Sequence, residues 1–184
     1  LASLVLLSPN EPEFWNVFSS STEYQDGLEH PMDRWSARVI GKLSTEFGGT
    51  AYFPFGRAPY HPFYSWALST GRVYASPLQF LVDNESGLYV SFRGAIGFAQ
   101  EITDPRPVLK TPCAGCSAPC LTSCPADALD ENAYNVPKCK SYLTTSRESC
   151  ETFGCAARRT CPHTAQTQRS MAHAEFHMRA FMGA

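Results

Sequence analysis

Apolar and polar positions change rhythm several times along the 184 residues. Leu4-Val5-Leu6-Leu7 is an unbroken apolar run stopped by Ser8-Pro9, which predicts a short buried strand. Glu13 to Phe18 reads as a short aromatic turn of helix. The clearest helix opens at Pro31 and Asp33, with Trp35, Val39, Ile40, Leu43 and Phe47 at helical spacing on one core-facing side, and ends at Gly48-Gly49, where a left-handed cap is wanted. Ala51 to Phe55 predicts a strand ended by Pro54 and Gly56. The loop Pro59-Tyr60-His61-Pro62-Phe63 then leads into a short helix ending near Gly71. Leu78–Val82 and Leu88–Phe92, separated by Asp83-Asn84-Glu85-Ser86-Gly87, predict a hairpin.

A Pro-rich connector, Asp104-Pro105-Arg106-Pro107 and Thr111-Pro112, marks a change of composition, so the pattern predicts two domains, 1–106 and 107–184. The second is loop-rich until Met171–Phe181, which puts Ala174, Met178 and Phe181 on one helical face. The expected fold class is α+β, and no solenoid repeat or low-complexity tract occurs.

Composition narrows the possible partners. Net charge is -2 and no run of five like charges appears, which argues against nucleic acid as a partner. Residues 1–109 hold 7 Lys/Arg against 11 Asp/Glu, and residues 110–184 hold 8 against 6. The first part is acidic and the second mildly basic. The opening apolar stretch is too short for a transmembrane segment and lacks a basic flank and a cleavage site. A start at Leu rather than Met suggests that residues are missing upstream, so the expected location is the cytoplasm, or an organelle matrix if a targeting segment has been lost.

All 8 cysteines lie between residues 113 and 161. They run Cys113-x2-Cys116-x3-Cys120-x3-Cys124-Pro125, then Cys139, Cys150, Cys155 and Cys161-Pro162. In two-cluster ferredoxins closely spaced thiolates bind three corners of one cubane, and the cysteine before proline crosses to the other cluster. By that logic Cys113, Cys116, Cys120 and Cys161 hold one [4Fe-4S] cluster, and Cys124, Cys139, Cys150 and Cys155 hold a second. The small residues Ala114, Gly115, Ser117 and Ala118 suit loops whose backbone N–H groups point at sulfur. Four disulfides and two four-thiolate zinc sites are the competing readings. A disulfide framework spreads its cysteines through a small domain, whereas here a long region has none. Zinc accepts the same thiolate pairs, but the four-cysteine run and the two Cys-Pro dipeptides favour iron–sulfur.

At Cys113–Cys124 and again at Lys138-Cys139-Lys140-Ser141-Tyr142-Leu143-Thr144 the chain resembles the ferredoxin module of the epoxyqueuosine reductase and reductive dehalogenase superfamily. Upstream, Asp33-Arg34-Trp35, Phe53-Pro54-Phe55-Gly56 and Ser91-Phe92-Arg93-Gly94 resemble part of that superfamily's cobalamin-binding, nitroreductase-like region. The chain also resembles small bacterial-type 2[4Fe-4S] ferredoxins with the same order of parts. The resemblance implies a nitroreductase-like N-terminal region, a C-terminal ferredoxin-like module, and one-electron transfer to a redox protein partner or within a larger electron-transfer complex. It also implies two alternatives: an oxidoreductase whose clusters feed a cobalamin or flavin, and a structural subunit of a redox assembly. The first group departs from the reductases in having three residues between its second and third cysteines, and Cys150-x4-Cys155-x5-Cys161 is looser than their spacing. No catalytic acid can be matched.

Other residues have a chemical and a structural reading. Phe53, Phe55, Tyr60, Phe63, Tyr64 and Trp66 could line a pocket for a planar ligand, although such aromatics more often form core. Arg57, Arg72 and Arg93 are candidates for an anionic ligand group. His173 and His177 sit one helical turn apart, a spacing that suits a metal but more often marks an ordinary satisfied pair. His163 follows Cys161-Pro162 and could tune a cluster. Arg158-Arg159 could offset the charge of thiolate-bound cubanes or dock an acidic partner.

Overall fold

The computed structural model of the chain describes residues 1–167 and 169–183. Its elements are, in order, β1 (Ser3–Leu7), α1 (Glu13–Ser19), α2 (Thr22–Gln25), α3 (Pro31–Glu46), β2 (Thr50–Tyr52), α4 (Phe63–Ser69), β3 (Tyr74–Ala75), β4 (Leu81–Val82) and β5 (Gly94–Phe98). A 3-10 turn (Pro119–Leu121) follows, then α5 (Val136–Thr145), α6 (Arg147–Phe153), α7 (Ala156–Arg159), a second 3-10 turn (Pro162–Gln166) and α8 (Met171–Met182). Helices mix with antiparallel strands, so the class is α+β. Two compact units result: Leu1–Ser69 with Ser91–Val108, and Thr70–Val90 with Leu109–Ala184. The later crossing falls close to the Pro-rich connector, but residues 70–90 belong with the cysteine segment rather than with the region before it.

Unit 1 is a three-stranded sheet in the order β1-β5-β2 with α3 packed on it. The central strand, Gly94-Ala95-Ile96-Gly97-Phe98, is buried throughout, while β1 is half-buried at the edge. Its register sets Ile96 between Val5 and Ala51. Ile96 joins Ile40 and Phe98 in the core, with Val5, Leu7, Leu43, Ala51 and Phe53 around them. The glycines hide this strand in the sequence, since glycine weakens strand propensity and often marks a close backbone approach. That approach is real at Gly94, where a Cβ would stand 2.7 Å from the Ile40 Cδ1 atom and 3.0 Å from the Tyr52 carbonyl oxygen.

The helix predicted from Pro31 forms, but its buried stripe is Met32, Ser36, Ile40 and Ser44. Phe47, expected in the core, is 59% exposed at the C-cap, while Trp35, Val39 and Leu43 are half-buried. Serines can face inward because their hydroxyls are satisfied: Ser36 Oγ donates to the Met32 carbonyl at 2.6 Å and accepts from Arg93 Nε at 3.2 Å. Gly48, with φ +66°, turns the chain out of the helix as expected. The aromatic α1 packs Phe14 and Phe18 against Trp35, and Trp15 and Phe18 against Tyr24. A carboxylate–guanidinium pair, Glu23 with Arg38, ties α2 to α3.

In unit 2 the predicted hairpin is replaced by a different one. Leu81 and Val82 pair with Ala75 and Tyr74, and only a single bridge, Asp83 to Gly87, remains of the expected ladder. Leu88–Val90 is buried without becoming a strand. Its would-be strand partner is a side chain from far along the chain: Leu88 N–H donates to Thr164 Oγ1 at 3.3 Å, and Thr167 Oγ1 donates to the Ser86 carbonyl at 3.2 Å. Gly87 must be glycine there, since its φ is +55° and a Cβ would meet Thr164 N at 2.6 Å. Helix α5 starts at Asn135, whose side chain accepts from Lys138 N–H at 3.0 Å. Ser170 caps α8 in the same way through His173 N–H at 3.2 Å. The buried positions of α8 are His173 and Ala174, with Met178 and Phe181 half-buried beside them.

Candidate metal centres

Every cysteine is a free thiol, and all eight lie in unit 2. Loop geometry brings the first group together. Cys113 and Cys116 are closed into a turn by Cys116 N–H to Cys113 O at 3.2 Å, and Gly115 at φ +76° and Ala118 at φ 52° wind the backbone left-handed between the thiols. Pro119 then opens the 3-10 turn that carries the buried Cys120. Burial pushes the Cys113 thiol above its ordinary value, and the charges of Cys116 and Cys161 push the same way. For Cys120 burial again leads, with Cys161, Cys113 and Cys116 as charged neighbours. These four thiols therefore share one neighbourhood although Cys161 is forty-one residues beyond Cys120.

They line one cavity whose other walls include Ser76, Pro77, Val82 and Leu88 from the 70–90 segment and His163 beside Cys161. Among the described residues no Lys, Arg, Asp or Glu contributes to the lining. Cys120 and Cys161 are also core residues, packed with Leu78, Val82, Leu88, Leu129 and Ala157.

The remaining thiols form a second neighbourhood. Burial raises Cys139, the Tyr134 hydroxyl hydrogen-bonded to it lowers it, and the charges of Cys124 and Cys150 raise it further. Burial raises Cys155 as well, opposed by backbone N–H groups of Arg158 and Ala157 and by the Arg158 charge, with Cys150 as its thiol neighbour. Cys124 Sγ accepts from Ala128 N–H at 3.3 Å, much as Cys116 Sγ in the first group accepts from Ala118 N–H at 3.4 Å.

The donors fit an iron–sulfur core better than any hard cation, since each set offers only soft thiolates. Among the described residues no three His, Cys, Asp or Glu side chains gather closely enough for a single ion. N–H and O–H donors aimed at sulfur and an apolar wall are the surroundings by which such cores are held and tuned.

The other candidates separate from these sets. Arg93 is engaged within unit 1, paired with Asp33 and bonded to Ser36. Arg57 is exposed and Arg72 half-buried. Tyr52, His61, Phe63 and Trp66 pack on one another as ring contacts, and Phe53 lies against Phe55, while Tyr60 and Tyr64 are exposed. His173 is buried with its Nε2 atom 2.9 Å from that of His177, within hydrogen-bond distance. Sequence reasoning missed Tyr134, Thr111 and the 70–90 segment. Tyr134 falls five residues before Cys139, a spacing that carries no motif. No helix among the described residues is long and apolar enough to cross a membrane. No protein-family model, curated protein or solved structure matches the chain.

Proposed function

We propose that the protein is an iron–sulfur electron carrier or electron-transfer subunit, with a [4Fe-4S] cluster on each set of four cysteines and a redox protein as partner. The observation that carries this reading is the gathering of Cys161 with Cys113, Cys116 and Cys120 around one apolar cavity, forty-one residues of chain notwithstanding. Such clusters supply reversible one-electron chemistry. In this reading the chain's own residues do the rest. Four thiolates fix each core at its corners, Ala118 and Ala128 N–H groups and the Thr111 and Tyr134 hydroxyls hydrogen-bond sulfur, and Val82, Leu88 and the flanking prolines keep water from the first site. Unit 2 then resembles a ferredoxin-like module, and unit 1 is the region that docks the partner.

The test is iron and acid-labile sulfide analysis of anaerobically prepared protein, with low-temperature electron paramagnetic resonance after reduction. About eight irons per chain and the spectrum of two interacting reduced clusters are expected. Colourless protein containing zinc, or cystines, would sink the reading. Stoichiometric corrinoid or flavin in the extract would move it to an oxidoreductase fed by the clusters.

A further inference from the structure

We infer that the two sites differ in electron affinity, the set of Cys124, Cys139, Cys150 and Cys155 being the one reduced first, because among the described residues only that set has a half-buried arginine held beside it and a phenol hydroxyl aimed at its sulfurs. The inference rests on the proposed clusters. It follows from what surrounds each set of sulfurs.

Around the second set, Arg158 is held in place from several directions. Its guanidinium lies 4.6 Å from the centre of the Phe80 ring and donates to the Leu88 carbonyl. Its charge faces Cys155, Tyr89 and Tyr134, and among the described residues no carboxylate pairs with it. Its own backbone N–H, with that of Ala157, bonds the Cys155 sulfur. Tyr134, fixed between the rings of Phe80 at 5.8 Å and Phe181 at 6.2 Å, gives its hydroxyl to Cys139. Among the described residues, other charged groups also lie on these elements. Lys138 pairs with Asp127 at 2.9 Å, Glu151 faces Arg179 at 3.9 Å, Arg159 sits over Phe153 at 5.9 Å, and Lys140 sits over Phe181 at 5.1 Å.

Among the described residues the first set has no equivalent Lys or Arg, and the titratable side chain in its wall besides the thiols is His163. Its sulfurs receive the Ala118 N–H, the Cys120 N–H and the Thr111 hydroxyl, inside walls that carry no Lys or Arg. Accepting an electron adds one negative charge to a thiolate-bound core. In a poorly solvated site that charge is opposed by the apolar wall and favoured by a fixed cation and by hydrogen bonds to sulfur. Both differences point the same way, so an electron delivered to the first site by a low-potential one-electron donor runs downhill to the second.

The test is a potentiometric titration of the holoprotein with dithionite, followed by electron paramagnetic resonance, in wild type and three variants. Wild type should reduce in two one-electron waves separated by at least tenfold in equilibrium constant, about 59 mV for a one-electron couple. Arg158→Gln should lower the upper wave by a similar factor and move the lower wave less, and Arg158→Lys should recover most of the loss. Tyr134→Phe should lower the same upper wave by about threefold, a smaller effect because the hydroxyl bonds sulfur in both oxidation states and only the strengthening on reduction counts. A single unsplit wave in wild type, a lower wave that moves more than the upper, equal movement of both, or no movement in any loaded variant would overturn the inference while leaving the clusters in place. Wild-type protein that binds no iron would remove the clusters and the inference together.

Discussion

Units 1 and 2 are built on different principles. Unit 1 closes a helix over a sheet, and its centre is apolar and aromatic: Phe18, Met32, Ile40, Ile96 and Phe98. In unit 2 the sulfurs of Cys120 and Cys161 are themselves core atoms, set among Leu78, Val82, Leu88 and Leu129. Under the proposed function, ligation of these thiols becomes part of the folding energy of unit 2. The core of unit 1 is built from apolar side chains.

Removing iron should therefore have the largest effect and should be confined to one unit. All three tryptophans, Trp15, Trp35 and Trp66, lie in unit 1. After anaerobic iron stripping their emission should be unchanged, while amide exchange in 109–183 and 70–90 approaches that of an unfolded chain. Loss of protection in the β1-β5-β2 sheet at the same time would erase the contrast.

Phe18→Ala reverses the experiment. The ring is fully buried among Phe14, Trp15, Tyr24 and Trp35, and its loss should destabilise unit 1 by about 3–5 kcal/mol in denaturant titrations followed by tryptophan emission. Iron content should not fall.

The smallest effect is in acid. The Arg38 hydrogen bond is the main influence holding the Glu23 carboxyl down to about 2, against 4.5 ordinarily. A depressed carboxyl contributes stability that is fully present above about 4.5 and is lost as pH falls through about 2. An acid titration followed by tryptophan emission should show this dependence in wild type. In Arg38→Gln it should be much weaker, and an unchanged profile would mean that the pair does not hold α2 to α3.

The sequence was most legible where a local pattern dictates local structure. The helix from Pro31 with its Gly48 cap, the strand at Leu4, the short helix at Phe63 and the final helix at Met171 all follow from periodicity and caps. It was least legible where a long-range partner decides. Gly94–Phe98 is a central strand because β1 and β2 flank it, whatever its glycines prefer. Leu88–Val90 fails to be one because Thr164 takes its hydrogen bond. For the candidate site, spacing and the Cys-Pro pairs sorted the cysteines into the sets of four that lie together in space. Tyr134, Arg158's stacking on Phe80 and the Ser76–Leu88 wall depend on tertiary placement, which no motif encodes.

The chain passes between the units at 69/70, 90/91 and 108/109, and that threading limits how the protein can be dissected. A fragment beginning at the Pro-rich connector would keep every cysteine yet forfeit Ser76, Pro77, Val82 and Leu88, leaving one flank of the first thiol chamber open to solvent. Neither half can be excised by a single cut, so truncation and engineering must treat the cysteine-bearing unit and its neighbour as one covalent piece.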